Sequence, residues 1–455
     1  MLFQNRRFYF LVFMGAFLIN ETAKSQQLSP RAAALMERLS IDKKIDQRIL
    51  FPTAVPDRVI LNLTPSPETS VAVNWRTDTS QPKGEVQWAL ATAGPQFRKS
   101  TATIEAKTEF LSVTNGDVTI EANYHSATIA PLQPDQAYVY RVGHGDHWSE
   151  WYQFRTPAPQ RSLSFLYFGD AQNEVKSMWS RVVREAYKKI PEVDFMLHAG
   201  DLINRSNEDI EWGEWFHAGS FIHATVPTIM TPGNHEYAKG VILAPQWKKQ
   251  FNLPENGPKG LEETCYQINY PNLKVISLDA EQIDESEYYA KKQAEWLDSL
   301  LTNDPRPWTV VTLHYPFFST SPKRDNDRLR EQFKPIIDKH RVDLVLQGHD
   351  HAYGRGSVSN APITTNTRKK SSETVYVVSV SGPKMYEVSD DPWMDRRASN
   401  TQLFQLITLE GNQLTYKAFD AAGELYDAFE LKKGKNGINA LTNKIPAVPE
   451  RKDMK

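Results

Sequence analysis

Five short polar clusters contain the side chains of this sequence that are best suited to chemistry. They are Gly169-Asp170-Ala171-Gln172, the run from Gly200-Asp201 through Asn204-Arg205, Gly233-Asn234-His235-Glu236, His314, and Gly348-His349-Asp350-His351. Carboxylates, amides and imidazoles together form a mixed oxygen and nitrogen donor set. Such a set suits Zn, Mn or Fe and does not suit an all-oxygen calcium site. The glycine before four of the clusters is expected to let the backbone turn and present the next side chain.

The apolar runs that precede these clusters predict the strands of an α/β domain. These runs cover residues 163–168, 194–198, 228–230, 274–278, 308–313 and 342–346. Helical patterns occupy residues 175–189, 209–222, 291–301 and 329–340 between them. In sheets built from strand–helix–strand units, ligands bind beyond the carboxyl ends of the strands. The polar clusters are therefore predicted to meet along one rim.

Residues 55–157 have a different pattern, with short alternating runs separated by turn residues. Strands are predicted at 71–75, 84–88, 101–104 and 137–142, with turn signals such as Asn115-Gly116 between them. This spacing predicts an all-β sandwich. The run from Leu132 to Val142, followed by Phe154 to Pro157, resembles the end of a fibronectin type III domain. No cluster of catalytic groups falls in this part.

Length and charge limit the class of protein. A chain of 455 residues exceeds one ordinary core, so a second domain is expected at residues 162–430, followed by a solvated, poorly ordered tail at 431–455. The 53 basic and 55 acidic residues give a net charge of −2, which argues against a nucleic-acid scaffold. Cys265 is the only cysteine, which excludes an internal disulfide.

The first residues predict a signal peptide at 1–25. Arg6 and Arg7 precede an apolar run at 8–19, and small residues at Ala23 and Ser25 permit cleavage before Gln26. The run is shorter than the ~20 residues that span a bilayer, so an uncleaved anchor is the weaker alternative. We expect a secreted or periplasmic protein without a transmembrane anchor after cleavage. Residues 26–54 are predicted to form a short helical segment and a linker.

The order of the five clusters resembles the signature of the calcineurin-like metallophosphoesterases. That signature reads Asp-x-His, Gly-Asp, Gly-Asn-His-Glu/Asp, His and Gly-His-x-His. With the preceding sandwich and the run from Gly348 to Arg355, the sequence is similar to the purple acid phosphatases over about residues 55–420. The resemblance implies a four-layer α/β/β/α phosphoesterase domain after the fibronectin III-like sandwich.

The resemblance also implies two metal ions, expected to be divalent Zn, Mn or Fe. The implied ligands of the first ion are Asp170, Asp201 and His351, with Gln172 either a further ligand or a non-ligating amide, and those of the second are Asp201, Asn234, His314 and His349. The carboxylate of Asp201 would bridge the two ions. In this type of enzyme a metal-activated hydroxide attacks a phosphate monoester. The expected substrate is a phosphorylated small molecule or peptide.

Two further residues receive catalytic roles by resemblance. His235 follows the implied ligand Asn234 and is expected to face the substrate, where it would protonate the leaving oxygen or stabilise the transition state. Arg205 stands where related Ser/Thr protein phosphatases place an arginine on the phosphate. We therefore expect it to contact the phosphate.

The sequence departs from its relatives at two positions. Asn204 stands where purple acid phosphatases have the tyrosine that gives ferric colour, and Gln172 stands where most other members of the superfamily have a histidine. Both departures leave a neutral amide, so the first ion is expected to be divalent and the protein colourless. The Asn204 side chain has an alternative role, which is to hydrogen-bond His235.

Other functions remain open on the sequence alone. One alternative is a phosphodiesterase or nucleotide pyrophosphatase of the same superfamily, and another is a catalytically dead binding module. Substrate specificity is expected to come from residues 237–270 and 354–373, which carry no readable motif. The remaining histidines of the domain are expected to be structural or surface residues: His198, His217, His223 and His340.

Overall fold

The computed structural model describes residues 47–115, 118–158, 162–238, 241–322, 324–358, 369–372, 374–434 and 437–452. The predicted signal peptide and the helix expected within residues 26–46 lie outside these ranges. The helices are α1 (Gln47–Leu50), α2 (Ser180–Lys189), α3 (Asp209–Gly219), α4 (Trp247–Gln250), α5 (Ala280–Glu285), α6 (Glu287–Asn303) and α7 (Asp327–His340). In the described ranges, no helix combines the length and apolar character that a membrane span requires.

The described residues before 158 contain nine strands. They are β1 (Asp57–Leu63), β2 (Val71–Thr77), β3 (Glu85–Leu90), β4 (Ala102–Glu105), β5 (Lys107–Asn115), β6 (Val118–Ile129), β7 (Ala137–His144), β8 (His147–Trp148) and β9 (Tyr152–Arg155). One sheet has the order β1-β2-β6-β5, and the other has the order β4-β3-β7-β8 with β9 also on β7. Trp75, Tyr140 and Phe154 share the core between the sheets. The predicted sandwich is confirmed.

The strands of the second part form two large sheet regions and one small two-stranded sheet. They are β10 (Leu163–Phe168), β11 (Phe195–His198), β12 (Thr228–Met230), β13 (Tyr237–Ala238), β14 (Ile242–Leu243), β15 (Tyr266–Asn269), β16 (Leu273–Ser277), β17 (Trp308–Thr312), β18 (Leu344–Gln347), β19 (Tyr353–Ser357), β20 (Lys369–Ser372), β21 (Val375–Val378), β22 (Arg396–Ala398), β23 (Leu403–Glu410), β24 (Gln413–Asp420), β25 (Leu425–Lys433) and β26 (Asn439–Asn443). One region has the order β20-β26-β25-β24-β23-β10-β11-β12, and the other is the sheet β15-β16-β17-β18-β21-β19-β22.

Alternating burial on the second sheet places a layer on each of its faces. On β17, Val310 belongs to the large core that also contains Phe165 of β10, so this face packs toward the first sheet. The next residue, Val311, belongs to the core that contains Leu297 of α6 and Phe333 of α7. Since α2 and α3 contribute to the core of the first sheet, the order of layers is α/β/β/α. This agrees with the arrangement that the resemblance implied.

The predicted strands and helices agree with the structure to within a few residues, with one clear error. Residues 431–455 were expected to form a poorly ordered tail, but Asn439–Asn443 pairs with β25 and with β20. Leu441 is buried in the large core. Basic residues around the β25–β26 turn made this segment resemble a solvated tail, although the alternating pattern that follows them forms a further strand of the sheet.

The sandwich is joined to the second part through strands and buried charges. β1 runs parallel to β12, with Asn62 opposite Thr228, so one sheet continues across the junction. Asp209, the first residue of α3, is buried and pairs with Arg58 at 2.7 Å and with Arg76 at 3.2 Å. The two arginines lie on β1 and β2. An unpaired charge at this depth would be strongly destabilising, so the three residues fix α3 against the sandwich.

Candidate metal centre

The polar clusters lie at the carboxyl ends of five strands, as predicted. Asp170 follows β10, Asp201 follows β11, Asn234 follows β12, His314 follows β17, and His349 and His351 follow β18. The first three strands belong to one sheet and the last two belong to the other. The clusters therefore meet where the ends of two facing sheets come together.

Glycines allow the strand ends to approach each other closely. A Cβ atom on Gly233 would lie 2.3 Å from Asp201 Oδ1, and one on Gly348 would lie 2.2 Å from Asp170 Oδ1. Only Gly200 among these cluster glycines has a left-handed backbone, with φ of +90°. The sharp turn expected at every glycine is therefore wrong as a general reason. Close packing against the carboxylates explains the glycines at 233 and 348.

Three of the predicted ligands themselves have left-handed backbone conformations. The φ angles are +52° at Asp201, +76° at His349 and +48° at His351. Such conformations cost on the order of 1–3 kcal/mol each for residues other than glycine, and they cluster at functional sites. The backbone strain at these three residues is therefore associated with side chains that converge on one point.

The first half of the centre is formed by Asp170, Gln172 and His351. His351 Nε2 lies 3.3 Å from Asp170 Oδ2 and 3.2 Å from Gln172 Nε2. Gln172 Nε2 donates to Asp201 Oδ2 at 2.6 Å, and Lys384 Nζ donates to Gln172 Oε1 at 3.4 Å. A lysine can only donate and a carboxylate can only accept, so both contacts fix the same orientation of the amide. Its oxygen therefore faces Lys384.

The second half is formed by Asn234, His314 and His349 around Asp201. Asn234 Oδ1 lies 3.2 Å from His314 Nε2 and 3.1 Å from His349 Nδ1. His314 Nε2 also lies 3.2 Å from Asp201 Oδ2. The other ring nitrogen, His314 Nδ1, donates to the carbonyl of Ala199 at 2.9 Å. This bond fixes the ring and leaves Nε2 as the atom that can bind a metal.

Asp201 connects the two halves. Its Oδ2 contacts Gln172 in the first half and His314 in the second, while its Oδ1 accepts the backbone N–H of His235 at 3.0 Å. This is the position expected for a bridging carboxylate.

The electrostatics of the centre favour a bound cation. Burial raises the pKa of Asp170 to about 7 and opposes ionisation of Asp201, but the charge of His314 holds the pKa of Asp201 below its usual value. Burial would lower the pKa of His314, yet the carboxylates of Asp201 and Asp170 raise it to about 10. Burial lowers the pKa of both His349 and His351. Two imidazoles whose pKa is lowered therefore offer lone pairs beside the carboxyl groups of Asp170 and Asp201.

The donor atoms fit a metal ion. The described residues include one group, Asp170, Asp201 and His351, whose ligand atoms all lie within 4.8 Å of one another. Within the described part of the chain, Asp170 Oδ2 has no hydrogen-bond partner although it is buried. A buried carboxylate oxygen of this kind is costly unless a cation or a donor satisfies it.

His235 lies beside the second half, and its ring is fixed by the backbone. Nδ1 donates to the carbonyl of Asn204 at 2.5 Å, and Nε2 lies 3.9 Å from Asp201 Oδ2. Because a carbonyl only accepts, Nδ1 carries the proton and Nε2 faces the centre. The expected bond from the Asn204 side chain is therefore replaced by one to the Asn204 backbone. The side chain of His235 is 27% exposed, so a substrate can reach it.

Arg205 is occupied by acidic neighbours. Its guanidinium binds Glu211 at 2.8 Å and lies 3.8 Å from Glu208. Glu211 also accepts the backbone N–H groups of Asn204 and Arg205. Through these contacts, Arg205 and Glu211 stabilise the loop that contains Asn204. A contact between Arg205 and phosphate would require its ion pair with Glu211 to break.

Sequence reasoning gave no role to Glu236, which organises two of the clusters. Its buried carboxylate accepts the backbone N–H groups of Asp201 at 2.9 Å, Leu202 at 2.8 Å and Gly233 at 2.7 Å. Burial and the charge of Asp201 raise its pKa to about 8. Its position directly after Asn234-His235 in the motif was the one sequence feature that could have indicated a role at the site.

Three more residues near the first half were missed because they carry no motif. The ring of Tyr386 packs edge-on against His351 at 4.7 Å between ring centroids, and its backbone N–H donates to His351 O at 3.0 Å. The ring of Tyr386 also contacts Arg324 and Lys384. Tyr167, in contrast, donates its hydroxyl to the carbonyl of Gln347, away from the centre as expected.

Comparisons with known proteins agree with this architecture. The family model for the purple acid phosphatase N-terminal domain matches residues 56–156, and the model for calcineurin-like phosphoesterases matches residues 163–353. Probable purple acid phosphatase 20 of Arabidopsis thaliana is 27% identical over 244 residues, which cover 51% of this chain and 55% of that protein. Acid phosphatase type 7 of Homo sapiens is 25% identical over 329 residues, which cover 67% of this chain and 71% of that protein.

A solved structure extends the comparison of the fold. The structure of a purple acid phosphatase from yellow lupin (Lupinus luteus) seeds matches with a TM-score of 0.68 at 18% identity, covering 84% of this chain and 75% of that one. At this identity the likeness concerns the fold alone. Both family models match in order, so the chain carries a purple acid phosphatase N-terminal domain at residues 56–156 followed by a calcineurin-like phosphoesterase domain at residues 163–353.

Proposed function

We propose that this protein is a phosphatase that hydrolyses phosphate monoesters at a centre of two divalent metal ions. The observation that carries the proposal is the convergence of Asp170, Asp201 and His351 with their ligand atoms within 4.8 Å of one another. Asp170, Asp201 and His351 would hold one ion, and Asp201, Asn234, His314 and His349 would hold the other. When bound, the two ions supply positive charge for the phosphoryl oxygens and make a water molecule more acidic for attack.

His235 is proposed to act on the leaving group. Its Nδ1–H bond to Asn204 O holds the ring so that Nε2 faces the centre, near Asp201. When protonated, Nε2 gives its proton to the ester oxygen as the bond from phosphorus to that oxygen breaks. Asp201 helps to place this ring, because its Oδ1 accepts the backbone N–H of His235.

Gln172 is proposed to orient the centre without binding a metal. Its amide oxygen is directed to Lys384 and its amide nitrogen to Asp201, so the atom that could ligate faces away from the carboxylates. Arg205 is likewise proposed to hold the loop through Glu211.

The test is hydrolysis of p-nitrophenyl phosphate and bis(p-nitrophenyl) phosphate by protein loaded with Mn, Zn or Fe. We expect the monoester to be the better substrate and activity to disappear on chelation. His235→Ala should lower kcat by about 10²–10⁴-fold while metal content stays constant. His144→Ala, at a partly exposed histidine of the sandwich, is the matched control. Metal-loaded protein that hydrolyses neither ester would overturn the proposal.

Export is proposed on the basis of residues 1–25. A charged start, an apolar run and small residues before Gln26 support cleavage at that position. Mature protein from its own cells should begin near Gln26 when its amino terminus is sequenced. Uncleaved protein in the cytosol would contradict export without bearing on the phosphatase proposal.

A further inference from the structure

Two basic side chains meet at the ring of Tyr386, next to the first half of the metal centre. The guanidinium of Arg324 lies 5.0 Å from the ring centroid, and Lys384 Nζ lies 5.6 Å from it. The ring itself packs against His351, one of the proposed ligands. The backbone N–H of Tyr386 donates to His351 O, which holds the Tyr386 backbone beside this ligand. The fold thus holds two positive charges at the edge of the centre.

The two cations differ in how their charges are balanced. Arg324 donates to Asp350 Oδ1 at 3.3 Å and to His349 O at 3.1 Å, so a carboxylate already partners it. Lys384 contacts the neutral amide of Gln172, and among the described residues it has no carboxylate partner. A half-buried ammonium without a counter-ion is a ready site for an anion.

One polar group lies between each of the two cations and the nearest proposed metal ligand. The Gln172 amide separates Lys384 from Asp201, and the His349 backbone carbonyl separates Arg324 from the ring of His349. A scissile phosphoryl group bound by the two ions would contact the ligand side of these groups. A part of the ester that extends past Gln172 and Tyr386 would approach Lys384, which contacts both residues. The charge available to Lys384 is therefore one that the substrate carries beyond its scissile phosphate.

We propose that Lys384, supported by Tyr386 and Arg324, selects phosphate esters whose remaining part carries a second anionic group, such as a carboxylate or a further phosphate. This inference rests on the proposed phosphatase function and names its substrate class. Lys384 is a specificity-determining residue in this assignment, and Arg324 and Tyr386 are positioning residues. Arg205, in contrast, has its charge taken up by Glu211 and Glu208.

The test compares two probes that differ by one charge. Phenylphosphonate and carboxyphenylphosphonate bind to metal-loaded protein in calorimetric titrations at constant free metal. Wild-type protein should bind the carboxylate-bearing probe about fivefold more tightly, as expected for one partly exposed ion pair, and the preference should shrink as salt rises. Lys384→Met should remove the preference and leave the affinity for phenylphosphonate within about twofold.

Controls separate charge from folding. Arg328→Met replaces a basic residue that instead pairs with Glu287 at 2.9 Å, and it should keep the preference. Lys384→Arg keeps the charge and should restore most of the preference that the methionine variant loses. Thermal unfolding of each variant verifies that the fold is intact.

Each outcome decides between the two proposals. Equal affinity of wild-type protein for both probes would overturn the role of Lys384, while leaving the phosphatase proposal intact. Equal weakening of both probes by Lys384→Met would place the lysine on the phosphoryl group itself and would also overturn the inference. Failure of metal-loaded wild-type protein to bind phenylphosphonate at all would count against the phosphatase proposal.

Discussion

The two halves of the candidate metal centre share Asp201 but are built differently. In the second half, Asn234, His314 and His349 approach one another within 3.1–3.3 Å, and a hydrogen bond from His314 Nδ1 to the carbonyl of Ala199 fixes the His314 ring. In the first half, His351 lies 3.3 Å from Asp170, and the neutral amide of Gln172 contacts His351 and Asp201 on one side and Lys384 on the other.

Because of this difference, we expect the two halves to bind a metal ion with different affinities. The second half offers two imidazoles, an amide oxygen and a carboxylate. The first half offers two carboxylates and one imidazole, and a nearby ammonium opposes a cation there. We expect the second half to fill first and the first half to depend on the metal concentration.

The strongest disruption should come from Asp201→Ala, because this side chain belongs to both halves. We expect both ions to be lost and kcat/KM to fall by about a thousandfold or more, since the positive charge that stabilises the phosphoryl oxygens leaves with them. Metal analysis of the dialysed protein and an ester assay measure the two effects. Asp146→Ala, in the exposed β7–β8 turn, serves as the control. Retention of both ions by Asp201→Ala would refute the bridging role.

His314→Ala and His351→Ala should separate the halves. Each variant should lose one ion and at least about a hundredfold in activity, but from different positions. Titration with Mn²⁺ should then reveal only the weaker site in His314→Ala and only the tighter site in His351→Ala. Identical titration curves for the two variants would remove the distinction between the halves.

Glu236→Gln should weaken both halves without removing a ligand. The carboxylate accepts several backbone N–H groups that an amide can satisfy only in part, so we expect a loss of about 1–3 kcal/mol in the free energy of unfolding. Metal affinity should fall by about 10–100-fold. Urea unfolding and metal titration measure these changes, with Glu192→Gln at an exposed position as the control. An unchanged unfolding curve would contradict the anchoring role.

Gln172→His should make the halves more alike. An imidazole in place of the amide adds a nitrogen ligand beside Asp170 and Asp201, and the affinity of the weaker site should rise by about tenfold. Gln133→His, at an exposed position of the sandwich, controls for an added histidine. If the weaker site is unaffected, position 172 lies outside the reach of the first ion.

The smallest expected signal is the absence of colour. No tyrosine stands at position 204, so iron-loaded protein should lack an intense visible absorption band. Among the described tyrosines, two rings pack against proposed ligands: Tyr386 lies 4.7 Å from His351 and Tyr315 lies 4.5 Å from His349 between ring centroids. Should a band appear, its loss in Tyr386→Phe would assign it to this residue and correct our prediction.

The sequence predicts which polar clusters meet, because each of them directly follows a recognisable strand. The apolar runs before Asp170, Asp201 and His314 identify strands, and the ends of parallel strands must share a rim. Those local patterns are strong because these strands are buried on both faces, as at Val310 and Val311.

Residues that act through tertiary contacts were beyond the sequence. Lys384 lies more than 200 positions from Gln172, and neither its spacing nor its neighbours mark it as part of a site. The expected specificity segments at 237–270 and 354–373 do not include it. The error at Asn439–Asn443 has a similar cause, since pairing with β20 and β25 stabilises a strand with little apolar character of its own.

The buried pairing of Asp209 with Arg58 and Arg76 has a consequence for modularity. Asp209 opens α3, and Glu211 in the same first turn holds the backbone of Asn204, whose carbonyl orients His235. The sandwich is thus mechanically linked to the proposed acid through one helical turn. A chimera with the sandwich of another protein must therefore keep arginines at the positions of Arg58 and Arg76. Without them we expect His235 to be misaligned, even though every proposed metal ligand is still present.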